Sequence, residues 1–92
     1  MDAVNELLIP ETAASKLAGR DISEREAQQL LANVHLTVRN VNAPPGANRR
    51  LLIGRTDGGR WLTLVIEETL DVTTWLVVTG WDSAESERKL VS

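Results

Sequence analysis

Anion chemistry is the first thing this sequence offers. Arg49, Arg50, Arg55 and Arg60 place four of the ten basic residues on one short stretch, and Arg88-Lys89 adds two more near the end. A guanidinium fork matches the oxygens of a phosphate or carboxylate bidentately. Positions 34–60 hold five arginines and one aspartate, a local charge of +4 in a chain of net charge −3. Such a band suits phosphate or an acidic partner. A solvated sheet edge guarded by arginine is the plainer reading. Trp61 and Trp81 fall near the ends of apolar runs. There an indole either stacks a base or anchors a partner protein. His35 is the only histidine. An imidazole is a candidate acid or base, but its place at a strand start suits a structural or surface role. The chain has no cysteine, which excludes disulfides and thiolate metal sites. No His, Asp or Glu spacing fits a metal, and no Walker pattern is present. No cofactor is expected.

The elements that must position these groups follow from periodicity. Leu51 to Ile53 and Leu62 to Ile66 are too apolar for surface loops, and Asp57-Gly58-Gly59 between them signals a hairpin. A two-residue loop, centred on Asp57-Gly58 or on Gly58-Gly59, puts Leu51, Ile53, Leu62, Leu64 and Ile66 on one face, with Arg55 and Arg60 at its tip. A three-residue loop breaks that alignment. Upstream, residues 1–9 read either as a short helix or as a short strand. Pro10 and Glu11 suit a first helical turn, and an apolar stripe runs through Leu17 to a stop at Gly19. Ser23-Glu24-Arg25-Glu26 is a capping box, and Ala27, Leu30 and Leu31 line the helix that follows it to Asn33. Ile22 is placed as a staple against Ala27.

Val34–Val41 reads as a strand and 42–48 as a loop, because Pro44, Pro45 and Gly46 forbid regular structure. Residues 67–72 connect the hairpin to 73–81, the most apolar strand. Trp75, in its middle, reads as core. Asp82 or Ser83 caps a short helix over Ala84–Leu90, with acids first and bases last. The expected fold is α+β: one domain over residues 1–92, with two N-terminal helices packed on one face of a four-stranded antiparallel sheet, and a short C-terminal helix. Asp2 and Glu6 replace the basic start of a secretion signal, and no apolar run nears the roughly 20 residues of a membrane span. A cytoplasmic protein without membrane contact is expected.

Three segments resemble the BrnT family, the toxin half of a bacterial type II toxin–antitoxin pair. Ala13–Ala27 is similar to its Lys-containing helix, Gly-Val/Ile-Ser step and Glu-Ala helix. Arg50–Val65 is similar to its "R…IG.t..GR.L.vv" hairpin, and Trp75–Arg88 to its "iRiISAR.A...ER" ending. Together they span roughly residues 10–90. Gly19-Arg20-Asp21 stands where the family usually has Lys-His-Gly. Gly80-Trp81 stands in place of its Ala-Arg, and the closing Tyr is absent. The resemblance implies a RelE/ParE-like fold and a metal-independent ribonuclease that blocks translation, with a cognate antitoxin as partner. Such cleavage needs a group to take the 2′-OH proton, one to protonate the leaving 5′-oxygen, and cations to stabilise the phosphorane. Arg60 and Arg88 match the family's arginines, and Glu87 would orient one of them. Arg49, Arg50, Arg55 and Lys89 would hold phosphate. The other reading is a non-catalytic relative. It would keep the fold and use Trp61, Trp81 and the arginine tip to hold a protein or a second copy. The acidic composition favours that second reading.

Overall fold

The computed structural model describes residues 4–40, 44 and 48–91. Its elements run β1 (Glu6–Leu8), α1 (Glu11–Ala18), α2 (Glu24–Ala32), β2 (His35–Arg39), β3 (Arg49–Arg55), β4 (Trp61–Glu68), β5 (Thr74–Asp82) and α3 (Glu85–Val91). This is an α+β arrangement. The expected loop at 42–48 lies outside the described residues except for Pro44 and Asn48.

Four expectations need correction. The sheet has five strands, not four, in the order β1-β5-β4-β3-β2. The extra strand is the ambiguous N-terminal segment, which pairs parallel to β5 with Leu7 opposite Trp75, so the sheet is mixed. Leu7 supplies the reason, since it fills the core at the sheet edge.

The hairpin turn holds three residues, not two. Arg55 stands opposite Trp61 and Leu52 opposite Leu64. Thr56 N–H donates to Arg60 C=O at 2.8 Å, and Gly59 N–H to Thr56 C=O at 3.0 Å. Gly59 sits at φ 87°, the left-handed position that a three-residue loop reserves for glycine. The Thr56 hydroxyl also accepts from Arg60 N–H at 3.1 Å, which fixes the longer loop. The register therefore slips by one residue. Leu52, Leu62, Leu64 and Ile66 share one face, while Leu51, Ile53, Arg55, Trp61, Thr63 and Val65 share the other.

The helices are not all on one side. Ala13 and Leu17 of α1 and Ala27 and Leu30 of α2 pack with Leu52, Leu62, Leu64, Ile66, Trp75 and Val77 into one core. The third helix lies against β3 and β2, and its Glu87 bonds Thr63 and Trp81 on the opposite face. Ile53 is fully buried on that face.

The two N-terminal helices form as their local chemistry requires. Ser23 Oγ accepts from Glu26 N–H, and the Glu26 carboxylate accepts from Ser23 N–H, both at 3.1 Å. The preceding helix closes differently from the Gly19 stop. Gly19 stays right-handed, and the left-handed residue is Asp21 at φ 59°. Ile22 N–H donates to Leu17 C=O and Asp21 N–H to Ala18 C=O, a Schellman pair with aspartate in the glycine position. Gly80 explains how close α1 sits. A Cβ there would lie 2.6 Å from Leu64 Cδ2 and 3.0 Å from Leu17 Cδ2.

Candidate functional site

Arg60 follows the turn and leads into β4. Its Nε and Nη2 donate to the two carboxylate oxygens of Asp82 at 2.7 and 3.1 Å. Nη1 donates to Asp21 C=O at 2.6 Å and reaches Glu26 at 3.4 Å, and Nη2 reaches Arg20 C=O at 3.2 Å. One guanidinium thus joins the end of β5, the α1–α2 connection and the cap of α2. Its pKa is raised, first by the hydrogen bond to Asp82 and then by Glu26, against partial desolvation. Asp82 is held below the usual carboxylate range by Arg60. Glu26 is held low first by the Ser23 backbone N–H and then by Arg60. Every nitrogen of Arg60 has an acceptor inside the chain.

Glu87 is also engaged internally. Its Oε1 accepts from Ala84 N–H at 2.8 Å and from Thr63 Oγ1–H and Trp81 Nε1–H at 3.1 Å each. The α3 cap expected from Asp82 or Ser83 is thus supplied by Glu87, because Asp82 ends β5 and serves Arg60. Arg60 and Glu87 share no hydrogen-bond partner. Arg88 is exposed on α3. Lys89 on the same helix pairs with Glu85 at 3.5 Å.

The remaining residues divide between the faces of the sheet. Arg49 pairs with Glu67 at 3.0 Å. Arg55 lies over the Trp61 ring at 5.4 Å, and its side chain has no hydrogen-bond acceptor among the described residues. A shallow cavity of about 380 Å³ adjoins it, lined by Asn33, Val34, Arg55, Thr56 and Asp57. Trp81 stands opposite Thr63, a diagonal neighbour of Trp61 on the same face. Both indoles are half-buried, as are Leu36, Val38 and Leu51 further along the same face. The face that carries α3 therefore gathers Arg49, Arg55, Trp61 and Trp81, whereas Arg50 and Trp75 lie on the face of α1 and α2. His35 is half-buried, and its Nδ1–H donates to Asn33 C=O at 2.8 Å.

Asp82 is the residue of this network that sequence reasoning missed. Asp82 read as a helix cap because it precedes Ser83-Ala84. Its link to Arg60 becomes visible only once β4 and β5 are in register. Among the described residues no group of three or more His, Asp or Glu side chains is arranged to hold a metal ion, and no helix is long and apolar enough to cross a membrane. No family model matches the chain, and no curated protein is similar to it at a significant level.

Proposed function

We propose that this chain is a BrnT-like protein of RelE/ParE-like fold that works by holding a protein partner, its cognate antitoxin, in the cytoplasm. The observation that carries this reading is the state of Arg60. The arginine best matched to phosphorane stabilisation spends all its donors on acceptors of its own chain. The α3 face, in contrast, offers what protein interfaces use. Trp and Arg dominate binding hot spots, and here Arg55, Trp61 and Trp81 share one sheet face, with exposed Arg55 stacked on half-buried Trp61.

The test is co-expression of the tagged chain with the product of the neighbouring reading frame, followed by size-exclusion chromatography and titration. A stable complex is expected, weakened at least tenfold by Arg55→Ala or Trp61→Ala. Absence of a complex rejects the partner. Undiminished binding by both variants rejects the face.

The guanidinium of Arg55, stacked on an indole and without a hydrogen-bond acceptor among the described residues, favours a second reading as a metal-independent ribonuclease. It predicts growth arrest on expression and RNA degradation by the purified chain in chelator, both lost in Arg88→Ala. A purified chain that leaves RNA intact and cells growing rejects it.

A further inference from the structure

The other face of the sheet holds an arrangement that the partner surface does not use. Arg39 and Arg50 stand directly opposite each other at the end of the β2–β3 ladder. Asn40 N–H donates to Arg49 C=O at 3.2 Å, so that pair is the hydrogen-bonded one. Its neighbour Arg39–Arg50 is then the closely spaced pair, with Cα atoms about 4.5 Å apart. Like charges directly opposite on one face repel. Neither arginine has an ion pair among the described residues, although Arg49, one residue away on the other face, is paired with Glu67.

Arg50 is also fixed in place. Its guanidinium carbon lies 5.7 Å from the centroid of the Trp75 ring. Trp75 is 5% exposed and belongs to the core. Arg50 Nε and Trp75 Nε1 are both buried and lack a hydrogen-bond partner among the described residues. Buried donors without acceptors are costly and rare. Two arginines thus stand side by side on one sheet face without a carboxylate partner among the described residues, one of them over a buried indole, and what they lack is negative charge carried on oxygen.

We infer that Arg39 and Arg50, floored by Trp75, form a binding site for a dianionic phosphate group. Two arginines carry a charge of +2. A phosphate monoester at neutral pH carries about −1.5 to −2 and three acceptor oxygens, whereas a single carboxylate leaves one cation unmatched. The group is either free phosphate or the terminal phosphate of a small ester such as a nucleoside monophosphate. The site stands apart from the proposed partner face, since Arg55 and Trp61 point to the opposite side of the sheet.

Isothermal titration of the full chain with inorganic phosphate and with AMP tests this, against acetate and chloride at matched ionic strength. Phosphate is expected to bind at least tenfold more tightly than acetate. Arg39→Ala, at an exposed position, should weaken it at least tenfold. Arg50→Lys should do the same, because it keeps the charge and loses the fork. Equal affinity for phosphate and AMP assigns the free ion, and tighter AMP binding assigns the ester; both support the site. Phosphate binding no tighter than acetate overturns it, as does binding unchanged in both variants. Arg55→Ala should leave phosphate binding intact. Failure of the partner experiment alone would not touch this site.

Discussion

Arg60 grips Asp82 with two parallel hydrogen bonds, at 2.7 and 3.1 Å. They come from the first residue after the hairpin turn and end on the last residue of β5. The same guanidinium reaches back to Asp21 and Glu26. The hairpin is thereby fastened to the α1–α2 connection and to the first turn of α2.

Removing that fastening should loosen the whole domain. Arg60→Ala is expected to lose about 1–3 kcal/mol, the range for charge-assisted hydrogen bonds that are partly open to solvent. Arg60→Lys should recover little, because an ammonium cannot span both Asp82 oxygens and the Asp21 carbonyl. Urea unfolding midpoints measure both. Wild-type stability in Arg60→Ala would show that the contacts are ornamental.

Acid should reveal the same network. Glu26 and Asp82 are held below their ordinary values of 4.5 and 3.8. Their contribution is fully present above those values and is lost as pH falls through the lower folded values. Stability should therefore decline on the acid side of about pH 4.5. Asp82→Asn, which cannot titrate, should flatten part of that decline while lowering stability at pH 7. An acid limb identical in Asp82→Asn and the parent rejects the assignment.

Asp21 holds a left-handed conformation without being glycine. Asp21→Gly should stabilise the chain by up to about 1 kcal/mol, because it relieves that conformation. Its backbone carbonyl keeps the bond from Arg60. A lower melting temperature would mean that the Asp21 carboxylate has an undetected role.

Gly80→Ala should destabilise by about 1–3 kcal/mol through overpacking, since the new methyl meets Leu64, Leu17 and the Thr63 carbonyl. Leu17→Ala in the same chain should recover only part of it, because the Thr63 carbonyl is backbone. Thermal unfolding of the single and double variants decides.

What the sequence revealed was local. The capping box at Ser23 and Glu26 is written within four residues, and it is present. Trp75 is core as read, although it is the second residue of β5 rather than its middle, and Trp61 and Trp81 near strand ends are half-buried. What stayed hidden was non-local or a matter of one residue. β1 is three residues long and gains its identity from Thr74–Leu76, far along the chain. The acceptors of Arg60 include two backbone carbonyls, which no side-chain pattern encodes. The short α3 carries few apolar residues, and only Thr63, Trp81 and Glu87 together decide which face it covers. The hairpin was visible, but the Thr56 hydroxyl that lengthens its turn was not.

That turn sets the reading frame of the sheet. Deleting one of its glycines would leave every side chain of β4 unchanged in identity and reversed in address. Trp61, Thr63 and Val65 would turn toward α1 and α2, and Leu62, Leu64 and Ile66 toward α3. A single-codon deletion at Gly58-Gly59 would therefore act on this chain much as a wholesale exchange of its interior and exterior would, although it removes the smallest residue the code offers.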